Sequence, residues 1–163
     1  MGLEKFQKIP VKNDVHIKHH SYVDIIGLLK SLPIWFNSMG YMFYEKGLSE
    51  KDIGTGDQIE SEWTAVKDVT EYIQYSIEIT VTAKDLRKVV LETGEEIYWG
   101  RVLIIINAKF IKDFQKKYDK GIKGKIMREF YERFIVRDNL KKSIGKLVVE
   151  YEDLIKTLKS YLK

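Results

Sequence analysis

Ile73-Gln74-Tyr75-Ser76-Ile77-Glu78-Ile79-Thr80-Val81-Thr82 is the most legible stretch of the chain. Ile73, Tyr75, Ile77, Ile79 and Val81 alternate with Gln74, Ser76, Glu78, Thr80 and Thr82. Strict period two predicts a half-buried antiparallel strand, because successive side chains point to opposite faces of a sheet. Upstream, Ile59, Ser61, Trp63 and Ala65 give a weaker alternation, with Lys67–Glu71 as the turn between the two strands. Downstream, Thr93-Gly94-Glu95 is a turn signal leading into a strand over Ile97–Phe110. Within it Val102–Ile106 is apolar at every position, which predicts a central strand covered on both faces.

Working outward, Val15–His20 reads as a short first strand. From Tyr22 the apolar positions Tyr22, Ile25, Ile26 and Leu29 recur at helical spacing, continued by Leu28, Leu32, Trp35 and Phe36. Pro33 lies inside that run and is expected to kink or restart the helix, since it lacks a donor and crowds the preceding turn. Gly40 is placed to end it as a left-handed cap. Tyr41–Glu45 then reads as a strand, and Gly47–Asp57, with three glycines and mixed charge, as a loop. After Phe110 the period becomes helical: Phe114, Tyr118, Ile122, Ile126, Phe130 and Phe134 are each four apart, with Gly121 and Gly124 expected to interrupt the region. Asp138 is a candidate N-cap for a last helix, along which Ile144, Val148, Tyr151, Ile155, Leu158 and Leu162 recur at helical spacing. The expected architecture is α+β: a single antiparallel sheet of four or five strands packed by an N-terminal helix and two C-terminal helices. No repeat or linker divides residues 1–163, so one domain is expected.

The 163 residues are 44% hydrophobic and 32% charged, a globular composition richer in charge than the average of about 25%. Cysteine is absent, which excludes disulfides, thiolate metal sites and cysteine nucleophiles. Met1–Pro10 has no apolar h-region, and Phe6 stands where a myristoylation signal needs Ser or Thr. The longest apolar run, Val102–Ile106, is far shorter than the roughly 20 residues of a membrane-spanning helix. A cytoplasmic protein is expected, and abundant Lys, Glu, Ile and Tyr point to a thermophilic source.

Glu62-Trp63-Thr64-Ala65, Tyr72-Ile73, Ile77-Glu78-Ile79 and the run from Phe130 to Arg137 (Phe-Tyr-Glu-Arg-Phe-Ile-Val-Arg) resemble a group of uncharacterised archaeal α+β proteins. That likeness covers the middle of the chain and the first tail helix, and it implies source and fold without any chemistry. More loosely, the order strand, helix, antiparallel meander and long C-terminal helix is similar to the helix-grip arrangement of START-like lipid-binding domains. That second likeness implies a cavity between sheet and helix for a small hydrophobic ligand. Trp35, Phe36, Phe43, Tyr44, Trp63, Tyr75 and Trp99 are the aromatics that could line such a cavity or simply fill the core.

Chemical signatures are sparse. His16, His19 and His20 are all the histidines, and on a strand only His16 and His20 share a face, too few for a zinc site without carboxylates from elsewhere. Glu60 and Glu62 share a strand face and Glu95-Glu96 lies in a turn; paired acid–base work would need unlike environments for the two members. None of the serines lies in a G-x-S-x-G elbow. Gly121-Ile122-Lys123-Gly124-Lys125 is not a P-loop, because the spacing is wrong and Ile126 replaces the metal-binding hydroxyl. It does match the G-x-x-G with which KH domains approach an RNA backbone, although no three-stranded KH sheet can be placed around it. No cofactor, metal or catalytic residue is expected.

Charge gives the remaining signal. Residues 1–100 hold 11 Lys/Arg against 16 Asp/Glu, and residues 101–163 hold 17 against 8. The basic excess is densest around the glycine-interrupted turn, at Lys116, Lys117, Lys120, Lys123, Lys125 and Arg128, which form the candidate binding patch. The leading expectation is a non-enzymatic interaction module using this basic C-terminal helical surface to meet an acidic protein or another anionic partner. Nucleic-acid binding through Lys116–Arg128 and carriage of a small hydrophobic ligand are the alternatives. The apolar stripe of the last helix serves either the core or a homo-oligomer interface.

Overall fold

In a computed structural model, which describes residues 8–10, 14–52, 54, 56–112, 121–134 and 137–163, the sheet is assembled on its long last strand, β6 (Glu96–Lys112). One side of β6 pairs antiparallel with β5 (Ile73–Val90), which pairs with β4 (Asp57–Asp68), which pairs with β3 (Met42–Asp52) at the edge. The other side pairs with β2 (Val15–Val23) and, further along, with the short β1 (Lys8–Pro10). Six strands thus occupy five ranks of an all-antiparallel sheet, as the alternation predicted. Helix α1 (Ile25–Met39) follows β2, and α2 (Gly121–Phe134) and α3 (Arg137–Lys159) follow β6. No helix among the described residues is long and apolar enough to cross a membrane.

The core packs on one face of the sheet. Ile73, Tyr75, Ile77, Ile79, Val81 and Ala83 of β5 and Val102, Ile104, Ile106, Ala108 and Phe110 of β6 are buried. They share a core with Leu28, Leu32 and Phe36 of α1 and with Leu147, Tyr151, Leu154 and Leu158 of α3. The stripe of the last helix is therefore core, centred on the 147–151–154–158 positions, and Ile144 and Ile155 flank it half-buried. Two tyrosines fasten α3 to the sheet by hydrogen bonds as well as area. The Tyr151 hydroxyl donates to the Ile106 carbonyl at 2.9 Å, and the Tyr75 hydroxyl donates to the Ser143 carbonyl. The chain end is tied back to β2, with Asp24 N–H donating to Tyr161 O and Lys163 N–H to Tyr22 O, both at 3.0 Å.

Several expectations are corrected. Tyr22 belongs to β2; the helix starts later because Asp24 caps it, its carboxylate accepting from Gly27 N–H at 3.0 Å. Pro33 does not interrupt α1, which runs continuously through it to a left-handed Gly40 at φ 81°. The expected loop Gly47–Asp57 is mostly strand: β3 continues to Asp52 past a bulge between Glu45 and Gly47. Both faces of β3 are largely exposed beyond Phe43, so no apolar period marks it. Val102–Ile106 is not covered on both sides, since Leu103 and Ile105 are only half-buried on the face away from the helices. Gly124 does not interrupt α2 but lies within it. Phe114 and Tyr118, and the capping side chain of Asp138, lie outside the described residues.

Because Leu158 is fully buried between α3 and the sheet, Leu158→Ala should lower unfolding free energy by about 2–5 kcal/mol, cavity included. Tyr151→Phe, which removes only the hydrogen bond, should cost about 1 kcal/mol. Urea denaturation of the two variants checks the ordering.

Candidate functional site

The sheet face opposite the helices is left bare by the described residues, and its cross-strand register gathers a cationic cluster at one end. Three successive rows run across β2, β6 and β5: Tyr22–Trp99–Arg87, His20–Arg101–Lys84 and Lys18–Leu103–Thr82. Neighbours within a row sit on strands about 4.8 Å apart, and rows repeat about every 7 Å. Lys18, Lys84, Arg87 and Arg101 therefore crowd into a small area. Asp85 is the carboxylate beside them, meeting Arg101 with Oδ2 2.6 Å from Nε. Among the described residues, no carboxylate forms an ion pair with Lys18 or Lys84.

Local backbone geometry shapes this end of the face. A register shift between Lys84 and Arg87 bulges β5, with Asp85 at φ 56° and Leu86 turned into the core. A bulge re-aims side chains and strengthens twist. Opposite it, Gly100 is buried so close that a Cβ would lie 2.9 Å from Lys84 O. Any larger residue there would push β5 and β6 apart. The result is two adjoining concavities. One, of about 450 Å³, is lined by Lys18, His20, Thr82, Lys84, Arg101 and Leu103 among others. The second, of about 610 Å³, shares His20, Lys84 and Arg101 and adds Gln58, Arg87 and Trp99.

Aromatic rings stand beside the cations. Trp99 is 39% exposed and Tyr22 37%, the two meeting edge to face at 4.8 Å between centroids. His20 lies 6.1 Å from Trp99. By contrast, Trp35, Phe36, Phe43 and Trp63 stack among themselves at 5.4–6.4 Å in or against the core, and Tyr75 is buried. Of the seven aromatics considered for a cavity, these five fill space between sheet and helices, while Tyr44 and Trp99 are exposed. The neighbouring rank β4 and the middle of β5 carry the opposite charge on this face, at Glu60, Glu62 and Glu78.

Of the patch expected from the sequence, Lys123, Lys125 and Arg128 fall among the described residues. Lys123 and Lys125 are exposed on α2, but Arg128 is only 7% exposed and points away from solvent. Lys116, Lys117 and Lys120 lie outside the described residues. Helix α2 shows its apolar positions Ile122, Ile126 and Met127 to solvent, while Glu132 turns to the sheet and accepts from the Tyr72 hydroxyl and Lys112 Nζ. The G-x-x-G is the first turn of this helix. Of the histidines, His16 and His20 share the bare face, whereas His19 on the other side places Nε2 2.8 Å from Tyr22 O. No group of three His, Asp or Glu able to hold a metal occurs among the described residues. Glu60 and Glu62 are both exposed, beside a shallow hollow with Lys46 and Ser49, so they share one environment rather than two.

A second polar cluster lies under α3. Lys67 Nζ and the Tyr41 hydroxyl each donate to Glu150 at 2.6 Å, and Lys67 also donates to Met39 O at 3.0 Å. Lys67 stands over the Tyr41 ring at 5.0 Å, and Trp35 Nε1 donates to Asp153 at 2.8 Å. Each hydrogen-bonding group is matched by another from a different element, which makes the cluster a latch joining the end of α1, β4 and α3. Burial pushes the Tyr75 hydroxyl up to about 12, with Glu150 adding to the shift. Burial, and next the bond to Glu150, hold Tyr41 well above the ordinary phenol range.

No protein-family model, curated protein or solved structure matches the chain.

The tyrosine shifts have a defined pH consequence. An unfolded chain loses these protons near pH 10, while the folded chain keeps them. Below pH 10 both states are protonated and the contribution is constant; above it the unfolded state binds fewer protons, so stability falls as pH rises from about 10 to about 12. Urea midpoints should drop across that window, and less steeply in Tyr75→Phe, which has one such proton fewer.

Proposed function

We propose that the protein is a non-enzymatic binding module that takes an acidic partner on the bare face of its sheet, at the β2–β6–β5 end. The observation that carries this reading is the set of three rows that concentrates Lys18, Lys84, Arg87 and Arg101 around exposed Trp99. The backbones that carry these cations are fixed on adjacent strands of one sheet, so no backbone ordering is needed when an anionic ligand arrives. The flanking Glu60, Glu62 and Glu78 repel the same ligand and confine it to this end of the face.

The basic C-terminal helical surface is the second site that an acidic partner could use, supported by exposed Lys123 and Lys125. The carrier reading gains nothing from the described core, where Phe36, Tyr75, Phe110 and Tyr151 are fully buried between sheet and helices.

Charge reversal separates the two surfaces. Lys18→Glu/Lys84→Glu should lower the salt concentration at which the protein leaves a heparin column, whereas Lys123→Glu/Lys125→Glu should shift it little. The opposite ranking would move the binding surface to α2, and no retention of the wild-type chain at low salt would contradict the proposal outright.

A further inference from the structure

We infer that the acidic partner is single-stranded nucleic acid, with Trp99 and Tyr22 as base-stacking platforms and the four surrounding cations as phosphate contacts; this rests on the binding surface proposed above. The solvent-facing indole set among the cations favours a partner that brings planar rings as well as negative charge. A nucleotide strand needs both: a positive track for its backbone and π-faces for its bases. Here the two are interleaved by register. Arg87 is Trp99's partner on β5 and Tyr22 its partner on β2, and one row away Arg101 lies between His20 and Lys84.

The surroundings select the single strand. Half-buried Leu103 and Ile105 continue the bare face beyond Arg101 and give unstacked bases apolar contact. The three rows span about 13 Å along the strands, the reach of a few nucleotides rather than of a duplex groove. Glu60, one rank further over on β4, and Glu78, further along β5, disfavour a backbone that crosses to β4 and so orient the strand along β2, β6 and β5. Both rings of the aromatic pair are more than a third exposed, on the side away from the helices.

Fluorescence-anisotropy titrations with a short labelled oligouridylate, with inorganic polyphosphate as the base-free competitor, test the inference. Four phosphate contacts at about 0.7 each predict that log affinity for the oligonucleotide falls with log salt with a slope near −3. Trp99→Ala should weaken oligouridylate about tenfold and leave polyphosphate competition unchanged, while Trp99→Phe keeps most of the affinity. Lys18→Glu/Lys84→Glu should weaken both probes. If Trp99→Ala leaves oligouridylate unaffected, or weakens both probes alike, stacking is refuted while the anion-binding surface stands. If the charge reversal weakens neither probe, the surface itself is wrong.

Discussion

One-sided burial governs this structure. The helices lie against the face of the sheet that presents Ile77, Ile79, Ile104, Ile106 and Phe110, and Tyr151 and Tyr75 fix α3 there by donating hydrogen bonds to backbone carbonyls. Once that face is filled, the period-two geometry of the strands forces every intervening residue to the other side. Lys18, His20, Thr82, Lys84, Trp99 and Arg101 are on the bare face because the residues alternating with them point to the helix side.

A bare sheet face is ordinarily polar and mixed in charge. Here the charges separate by rank: cations on β2, β6 and one end of β5, carboxylates on β4 and the middle of β5. The bulge at Asp85 and the close approach at Gly100 add a concavity where the cations meet. The core and the cationic cluster thus lie on opposite faces of one sheet. The latch at Glu150, on the packed side, has the chemical variety of an active site but is consumed in joining three elements.

How much of this was legible follows from where each signal resides. The β5 alternation, the Gly94 turn, the Gly40 cap and the α3 stripe are local, and each was readable because one side of the element meets the core. The outer part of β3 was not, because solvent on both sides leaves no period and its glycines and charges mimic a loop. Pro33 was misleading because α1 continues through it as a single helix. The cationic cluster was hidden for a different reason. Lys18, Lys84 and Arg101 are far apart in sequence and lie mostly within the acidic first hundred residues, so only antiparallel register brings them together. Counting charge along the chain led instead to Lys116–Arg128, where Arg128 proves buried. The outward positions of a strand whose inward positions are already known are the sequence signal that could have found the cluster.

On the proposed reading, the bare β2–β6–β5 face, not the basic helical tail, receives the anionic partner. Two-dimensional amide NMR during titration with a short oligouridylate distinguishes the two surfaces. Perturbations should cluster at residues 18–22, 82–87 and 99–103. Shifts confined to residues 121–134 would contradict it.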